Sequence, residues 1–564
     1  MMADADHKTP IRIARRNPDK VMRLKRLGSL HQCRLSFMRT LLRRLRDENW
    51  RFERLRFDFD VRGEGTAVYA AIGPERTYSL VCFGHDLPAE QRSDRVIAEA
   101  WDSTFTLFDG VPDDADIERL RANVPKQEAG RISGKELSLS RANRSVRLFD
   151  AVVSALANGR QPDREEIEAV GYLMRTTAVY GSGKFGAADR QAIEDRPECR
   201  GPFQIEMLSV YLTRTYVMDL VEHMARLRAP EKAVVLEPEL RRAFGVGNST
   251  GLGMAPFIIN HPKLFNNWIA AREEALARVR SLPGASEGER SDFLENLKRA
   301  GRMVAHWQSG HPLQLEKIAD LKQDLRLLDA HLADEAVLDA DYPWDALHVW
   351  AEEVLSLEGQ ELLVSLMMEP YGHLIDELTG TMAADEGGST VLNGAMSIGH
   401  LRGLISEFYG WALAVDWEDR GAIARVWYTS EEKLEPRLGE RFEEPIEAYE
   451  QPLAPGRDVA RLMTALEAWD YGETVAAFLL SHPEHRHSVR RVQLAETHVY
   501  AEIRDNTISA DLLPIDLLRC KLSFFGAIHF DPRSDRWVRI NMFKSAPFPH
   551  ELQALGADDW SYSA

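Results

Sequence analysis

The chain has 564 residues, of which 44% are hydrophobic and 28% charged, and its formal net charge is −18. This composition is that of a globular protein and excludes a fibrous or disordered chain. The apolar runs fall well short of the roughly 20 residues that a membrane span requires, and the basic N-terminus lacks the apolar core of a secretory signal. The four cysteines are scattered singly. We therefore expect no disulfide framework or zinc ribbon, and a cytoplasmic location.

The charge is distributed unevenly along the chain. Residues 1–56 carry 16 Lys and Arg against 6 Asp and Glu, a net of +10 that leaves −28 for the remainder. The arginines fall between apolar residues that recur at helical spacing, which predicts a basic amphipathic helical arm over 1–50. An acidic remainder repels a polyanion, so we expect this arm to meet solvent or an acidic surface of the same protein or its oligomer. We favour no nucleic-acid or membrane partner.

After the arm, residues 51–160 have the pattern of an α+β module. Apolar and polar residues alternate over 55–61, and the runs 67–72 and 77–83 flank a Gly-Pro-Glu-Arg turn, which predicts a small antiparallel sheet. Helices are predicted near 94–101 and 145–157. An Asn-Gly turn at 158–159 then marks a boundary.

Helical periodicity dominates the next 240 residues, which we interpret as a central domain over 161–400. The predicted helices cover 164–180, 203–227, 263–281, 289–307, 313–332 and 344–368. Strand character returns in a C-terminal α+β module over 401–564, with strands predicted at 424–429, 489–494, 498–503, 522–530 and 536–543, the last two forming a hairpin. The sequence thus predicts an α+β fold, with a large central all-α helical domain flanked by N- and C-terminal α+β modules with small antiparallel sheets.

The first candidate site is a loop predicted at residues 245–257, Gly-Val-Gly-Asn-Ser-Thr-Gly-Leu-Gly-Met-Ala-Pro-Phe. Glycines let backbone N–H groups approach an anion such as a carboxylate or phosphate. The side chains expected to bind the anion with them are those of Asn248, Ser249, Thr250, Arg242 and Lys263. No dinucleotide or Walker pattern is matched. The alternative is a tight interhelical crossing that the glycines permit.

The second candidate is Tyr-Gly-Ser-Gly-Lys-Phe-Gly at residues 180–186. A deprotonated Lys184 would activate the Ser182 hydroxyl as a nucleophile, with Tyr180 beside them, or Lys184 would bind a substrate anion. A solvated loop that ends a helix is the alternative. Arg200 and Gln204 flank the start of the next predicted helix and are expected to contact the substrate.

The third candidate is a group of histidines, His306 and His311 around a Ser-Gly break and His261 upstream. A neutral imidazole suits general base catalysis at physiological pH. Three imidazoles also suit a metal, but their spacing matches no ligand signature, so we predict no metal site and assign no organic cofactor.

Three segments rich in glycine and polar residues interrupt otherwise regular helix, and this clustering indicates function. The sequence predicts an enzyme that acts on a small anionic metabolite, carboxylate- or phosphate-bearing, by acid/base chemistry of the lyase or hydrolase type. Its predicted catalytic residues are His261, His306, His311, Lys184, Ser182 and Tyr180. The alternative is a non-catalytic oligomeric scaffold or regulatory protein that uses its basic N-terminal arm.

Overall fold

A computed structural model describes residues 12–23, 26–88, 100–127, 131–176, 193, 195–199, 204–250, 262–310, 312–383, 392–418, 429–430, 433–434, 454–502, 514–527, 529–531, 538–554, 558 and 560. These residues form two compact units. The sheet unit comprises the described residues within 36–250, 525–532 and 537–564. The helical unit comprises those within 1–35 and 251–524.

The strands are numbered in chain order. They are β1 (Arg51–Phe59), β2 (Gly65–Ile72), β3 (Thr77–Gly84), β4 (Ser103–Asp109), β5 (Glu136–Arg144), β6 (Tyr172–Thr176), β7 (Gly245–Thr250), β8 (Thr429–Ser430), β9 (Lys433–Leu434), β10 (His529–Asp531) and β11 (Val538–Met542).

The α-helices are numbered in the same way. They are α1 (Pro18–Val21), α2 (Phe37–Asp47), α3 (Asp114–Asn123), α4 (Phe149–Ala157), α5 (Arg164–Val170), α6 (Gln204–Arg228), α7 (Pro238–Ala243), α8 (Pro262–Arg280), α9 (Glu287–Ala305), α10 (Pro312–Leu332), α11 (Ala336–Asp339), α12 (Pro343–Val354), α13 (Leu357–Met367), α14 (Gly372–Ile375), α15 (Ile398–Leu413), α16 (Ala454–Leu466), α17 (Val475–Ser481), α18 (Arg486–Thr497) and α19 (Pro514–Cys520).

Nine strands of the sheet unit form one mixed sheet in the order β1-β2-β3-β4-β5-β6-β7-β11-β10. Strands β1 to β6 are antiparallel neighbours. β7 then runs parallel to β6, and β11 and β10 follow antiparallel. The β6–β7 pair is the single parallel pairing among the described strands.

Helix α6 packs against this sheet and is buried on almost every side along its first twenty residues. A helix buried all round is apolar all round or has its polar groups bonded internally. Both hold here: Leu212 and Leu220 are buried, and the Ser209 hydroxyl lies 2.8 Å from that of Ser138 on β5. The opposite face of the sheet has its own apolar core, where Ile117 and Leu120 of α3 pack on neighbouring strands.

The predicted fold class is wrong. The strands do not form small antiparallel sheets at the two ends of the chain, because β1–β7 and β10–β11 join in one large sheet. Four strands of this sheet lie where helix, loop or no strand was predicted: β4, β5, β6 and β7. Conversely, the strand predicted at 489–494 lies in helix α18. The antiparallel hairpin predicted near the C-terminus is present as β10 and β11.

In the helical unit, helices α15 to α18 enclose one apolar core around Ile405, Leu462 and Val492. Helix α9 begins at a capping box, in which Ser286 and Glu289 each bond the other's backbone N–H. None of the described helices combines the length and apolar character that a membrane crossing needs.

Arginines of the basic N-terminal segment bind carboxylates of the helical unit. Arg16 donates to Glu273 and Glu361 at 2.7 and 2.8 Å, and Arg34 donates to Asp376 at 2.8 Å. The segment itself forms α1 and α2, separated by non-helical residues. Arg16 and Arg34 therefore bind acidic side chains of the same chain.

Candidate functional site

A group of buried polar residues of the sheet unit lies on the face of β4, β5 and β6 that is turned away from α6, here called the far face. Strand β4 shows which side chains point towards α6, because Ser103 and Phe105 contact Tyr216 of that helix. Side chains alternate along a strand, so Thr104 points to the far face. Its antiparallel partner on β5 is Arg141, and Asn143 on β5 pairs with Arg175 on β6. Directly paired residues share a face, so Thr104, Arg141, Asn143 and Arg175 lie together.

His85 borders the far face just after β3. Its Nε2 lies 3.1 Å from the Thr104 hydroxyl, and its backbone N–H donates to the carbonyl of Asp102 at 2.9 Å. Burial lowers the pKa of His85, and the more distant carboxylates of Glu64 and Asp102 oppose this. The imidazole is consequently neutral at physiological pH, the form that accepts a proton.

Arg141 on β5 is the strand partner of Thr104 and carries a charge. Only 5% of the residue is exposed, and its guanidinium stacks on the Trp101 ring at 3.9 Å from the centroid. Burial lowers the pKa of Arg141 to about 9. A cation removed from water in this way gains more from binding an anion than a solvated arginine does, because the local dielectric constant is lower.

Asp102 and Arg144 hold the end of β5 in place. The Asp102 carboxylate accepts the Arg144 backbone N–H at 2.9 Å, and the Arg144 guanidinium lies 3.8 Å from the same carboxylate. The Asn143 side-chain oxygen accepts the Asp102 N–H at 3.1 Å. These bonds position Asn143 beside Arg175, which is itself only 5% exposed.

Strands β6 and β7 end at this same edge of the sheet because they are parallel. The Asn248 amide of β7 donates to the Thr176 carbonyl of β6 at 2.9 Å, and the Thr176 hydroxyl donates to the Arg141 carbonyl at 3.0 Å. These two bonds join β5, β6 and β7 where the two glycine-rich sequences follow in the chain. The carboxyl ends of parallel strands are a recurrent location of ligand sites.

Taken together, the far face supplies one neutral imidazole, two buried guanidiniums and hydroxyl and amide groups. Guanidiniums bind carboxylate and phosphate with paired hydrogen bonds. The imidazole accepts or returns a proton. This arrangement suits acid/base chemistry on a small anion.

The loop predicted at residues 245–257 is wrong for its first six residues, because Gly245–Thr250 form strand β7. Its glycines permit close packing: a Cβ on Gly247 would lie 2.5 Å from the Tyr172 ring. Asn248 is buried, and its amide donates to the Thr176 carbonyl. For Ser249 and Thr250 the structure describes the backbone pairing with β11.

Two further predicted residues of the sheet unit have protein partners. Gln204 begins α6 and donates to the Phe37 carbonyl at 3.4 Å. Arg242 donates to the Glu551 carboxylate at 2.6 and 3.0 Å. Both contacts lie apart from the hydrogen bonds that define the far face.

Two predicted residues belong to the helical unit. His306 is exposed and follows α9, and its Nδ1 lies 2.8 Å from the Arg302 carbonyl. Lys263 lies in the first turn of α8 and is half-buried.

The remaining predicted residues lie outside the described residues. They are Tyr180, Ser182, Lys184, Arg200, His261 and His311. Their catalytic and binding roles stay predictions. Within the described part of the chain, no three His, Cys, Asp or Glu side chains are grouped as a metal site requires.

Sequence reasoning missed His85, Arg141 and Arg175. A single signal was available: Leu alternates with Ser over residues 137–140 and Arg-Ala-Asn-Arg follows, the pattern of a strand with polar groups on both faces. His85 carries no local pattern, and its relation to Arg141 exists only through strand pairing.

The chain matches no model of a known protein family, and no curated protein and no solved structure matches it.

Proposed function

We propose that the protein is an enzyme that binds a small carboxylate- or phosphate-bearing metabolite on the far face and acts on it by acid/base chemistry of the lyase or hydrolase type. The observation that carries this proposal is the placement of buried Arg141 beside the Thr104–His85 pair. A cation and a neutral base adjacent on one rigid sheet provide binding and proton transfer from the same surface.

Each group has a distinct role in this proposal. Arg141 and Arg175 bind the anion, since they occupy diagonal positions on neighbouring strands. His85 takes up the substrate proton, with Thr104 fixing the orientation of its ring through Nε2. The Trp101 ring keeps the Arg141 guanidinium in one plane.

Binding is tested by thermal denaturation of the full-length protein with inorganic phosphate and with succinate, each titrated to saturation. A ligand at 100 times its Kd adds about 2.7 kcal/mol to the free energy of unfolding. We expect Arg141→Gln to weaken binding at least about tenfold, because it removes a charge-assisted hydrogen bond.

The matched control is Arg164→Gln, which removes an exposed arginine of the same unit that forms an ion pair with the exposed Glu239. It should leave binding unchanged. His85→Gln should also leave anion binding within about threefold, since glutamine retains a polar contact with Thr104. If no anion stabilises the protein, or if Arg164→Gln weakens binding as much as Arg141→Gln, the proposal is wrong.

The alternative, a scaffold or regulator that uses its basic N-terminal arm, predicts no stabilisation by either anion. The intramolecular pairing of Arg16 and Arg34 leaves those two charges engaged within the helical unit. For this reason we favour the enzyme.

A further inference from the structure

Strand β1 forms one edge of the nine-stranded sheet, and β2 is its one neighbour among the described strands. All of its nine residues except the last are exposed or half-buried, whereas six successive residues of β2 are buried. An edge strand presents a row of backbone N–H and C=O groups that have no partner in the sheet, and these groups pair readily with a further strand. The outer edge of β1 is therefore open to a partner.

The two faces of β1 differ in chemistry. The face towards α6 is mainly aromatic, where Phe52 contacts Tyr211 and Phe57 contacts His223. The opposite face carries four charged side chains whose signs alternate along the strand: Arg51, Glu53, Arg56 and Asp58. A partner strand must match both faces at once.

A bulge at Leu55 produces this separation of the two faces. The register with β2 skips Leu55, so Arg54 and Arg56 are successive positions of the ladder. Side chains alternate between faces from one ladder position to the next, and Arg56 consequently lies on the same face as Glu53. Without the bulge, Arg56 would point towards α6 and the aromatic residues after it would point away.

Part of the charged face has no partner within the described chain. Arg51 and Glu53 are exposed, and neither forms an ion pair with another described residue. Arg56 donates to Asp58 at 2.6 Å, although 34% and 66% of their side chains stay exposed. Leu55, in the middle of the strand, is 45% exposed. The edge therefore offers charges and an apolar side chain to a second strand.

We infer that two copies of this chain associate by antiparallel pairing of their β1 strands, about a two-fold axis that relates the two Arg54 residues. In this register the opposed residues are Arg51 and Asp58, Phe52 and Phe57, and Glu53 and Arg56, each pair occurring twice. The members of each pair lie on the same face of the strand, as antiparallel pairing requires. Arg54 meets its own copy, and Asp219 at 3.1 Å balances its charge within each copy.

The alternating charges select this partner and this register. Charged side chains and bulges usually keep an edge strand from pairing, because most partners leave the charges unmatched. The same strand in the reverse direction is different, since every charge of the outer face then meets its opposite. Sliding the copies by two positions would instead oppose Arg51 to Arg56 or Glu53 to Asp58, which are like charges. The pairing does not rest on the proposed function, because β1 supplies none of the far-face groups.

Sedimentation equilibrium of the full-length protein measures the association. We expect a mass of twice that of one chain, and a dimer Kd that rises at least about tenfold for Glu53→Arg and for Arg56→Glu. Each substitution places like charges opposite each other at two symmetric positions. Glu165→Arg makes the same charge change as Glu53→Arg at an exposed position of α5 and should leave the Kd within about threefold.

An equimolar mixture of Glu53→Arg and Arg56→Glu is the sharpest test. In their heterodimer the arginines of one chain oppose the glutamates of the other at both positions, so the mixture should associate at least about tenfold more tightly than either variant alone. A folding defect in either variant would not produce this recovery. The mass of a single chain at about 100 µM protein, where a complex of micromolar Kd is formed, would overturn the inference. So would a dimer that Glu53→Arg weakens no more than Glu165→Arg, or a mixture that associates no better than its components.

Discussion

The Asn248 side chain on β7 donates a 2.9 Å hydrogen bond to the backbone carbonyl of Thr176 on the parallel strand β6. The contact is buried and links the carboxyl ends of β6 and β7, the single parallel pair among the described strands. It therefore couples sheet stability to the geometry of the candidate site.

Replacing Asn248 tests this coupling. Asn248→Ala should lower the free energy of unfolding by about 1–3 kcal/mol, since it leaves the buried Thr176 carbonyl without its donor. Asn248→Asp should cost more above neutral pH, because it places a carboxylate against that carbonyl. Urea denaturation at pH 7.5 measures both, and equal stability of the two variants would contradict the assigned donor.

Arg214 supports a second prediction, on the stability of the sheet unit. Arg214 lies in α6 and is fully buried, and its guanidinium donates to three carbonyls, those of Phe244 and Ala546 at 2.7 Å and that of Arg242 at 3.1 Å. It also stacks on Phe548 at 4.0 Å. Arg214→Met should destabilise the protein by about 3–5 kcal/mol, because methionine removes the side-chain donor to the buried Phe244 and Ala546 carbonyls, while the Arg242 carbonyl keeps the Ser545 N–H.

The matched control is Arg226→Met, an exposed arginine on the same helix. Urea denaturation should show a change within about 0.5 kcal/mol for this variant. A similar loss in both would mean that helix propensity or net charge, not the carbonyl contacts, determines the effect.

Local patterns predicted a large part of the secondary structure. Alternating residues and a turn located β1, β2 and β3, and helical periodicity located α6, α8, α9 and α10 to within a few residues. These elements have the alternating or helical spacing of apolar residues that sequence patterns detect. The hairpin of β10 and β11 was also predicted, although residues 522–525 of its first predicted strand are helical.

The sheet as a whole was not predictable from those patterns. β6 was taken as the end of a helix because Tyr172 to Thr176 is too short and too fully buried to show alternation. Gly245 and Gly247 suggested a loop, but they lie in strand β7. Glycine is required at both positions because neighbouring atoms leave no room for a Cβ. The candidate site depends on pairings between distant strands, and no local signal carries those.

Glu361 leads to a third prediction, in the helical unit. Its buried carboxylate accepts from Arg16 at 2.8 Å and from Arg272 at 2.6 Å. Burial alone would raise the pKa of Glu361, but the attraction of Arg16 and Arg272 outweighs it and holds the pKa well below its usual range. Glu361→Gln should cost about 3–5 kcal/mol at pH 7, because it leaves buried arginines without their counter-charge.

The pH dependence has a definite sign. A depressed carboxyl pKa stabilises the folded state above the unfolded value of about 4.3, and this contribution is lost as the pH falls below it. Urea denaturation between pH 6 and 3 should therefore show a steeper loss for the natural protein than for Glu361→Gln. Glu353→Gln, at an exposed position of α12, should keep the steep loss.

His348 on α12 gives a separate prediction at milder pH. The residue is 4% exposed, its Nδ1 is buried without a hydrogen-bond partner, and its Nε2 lies 3.8 Å from the Glu352 carboxylate. Burial lowers the pKa of His348 to about 2, and repulsion from Arg280 and Arg16 adds to this, against a smaller opposing effect of Glu361. The folded protein therefore keeps this imidazole neutral.

In the unfolded chain the same histidine titrates near 6.5, so below that pH the unfolded state binds a proton that the folded state does not. The free energy of unfolding should fall by up to about 1.4 kcal/mol per pH unit between pH 6.5 and 5, well above the range where Glu361 begins to titrate. His348→Gln removes the group and should flatten this slope, while His373→Gln, an exposed histidine of the same unit, should leave it unchanged. Urea denaturation at half-unit pH steps measures the three slopes. Equal slopes for the natural protein and His348→Gln would show that His348 is protonated in the folded state.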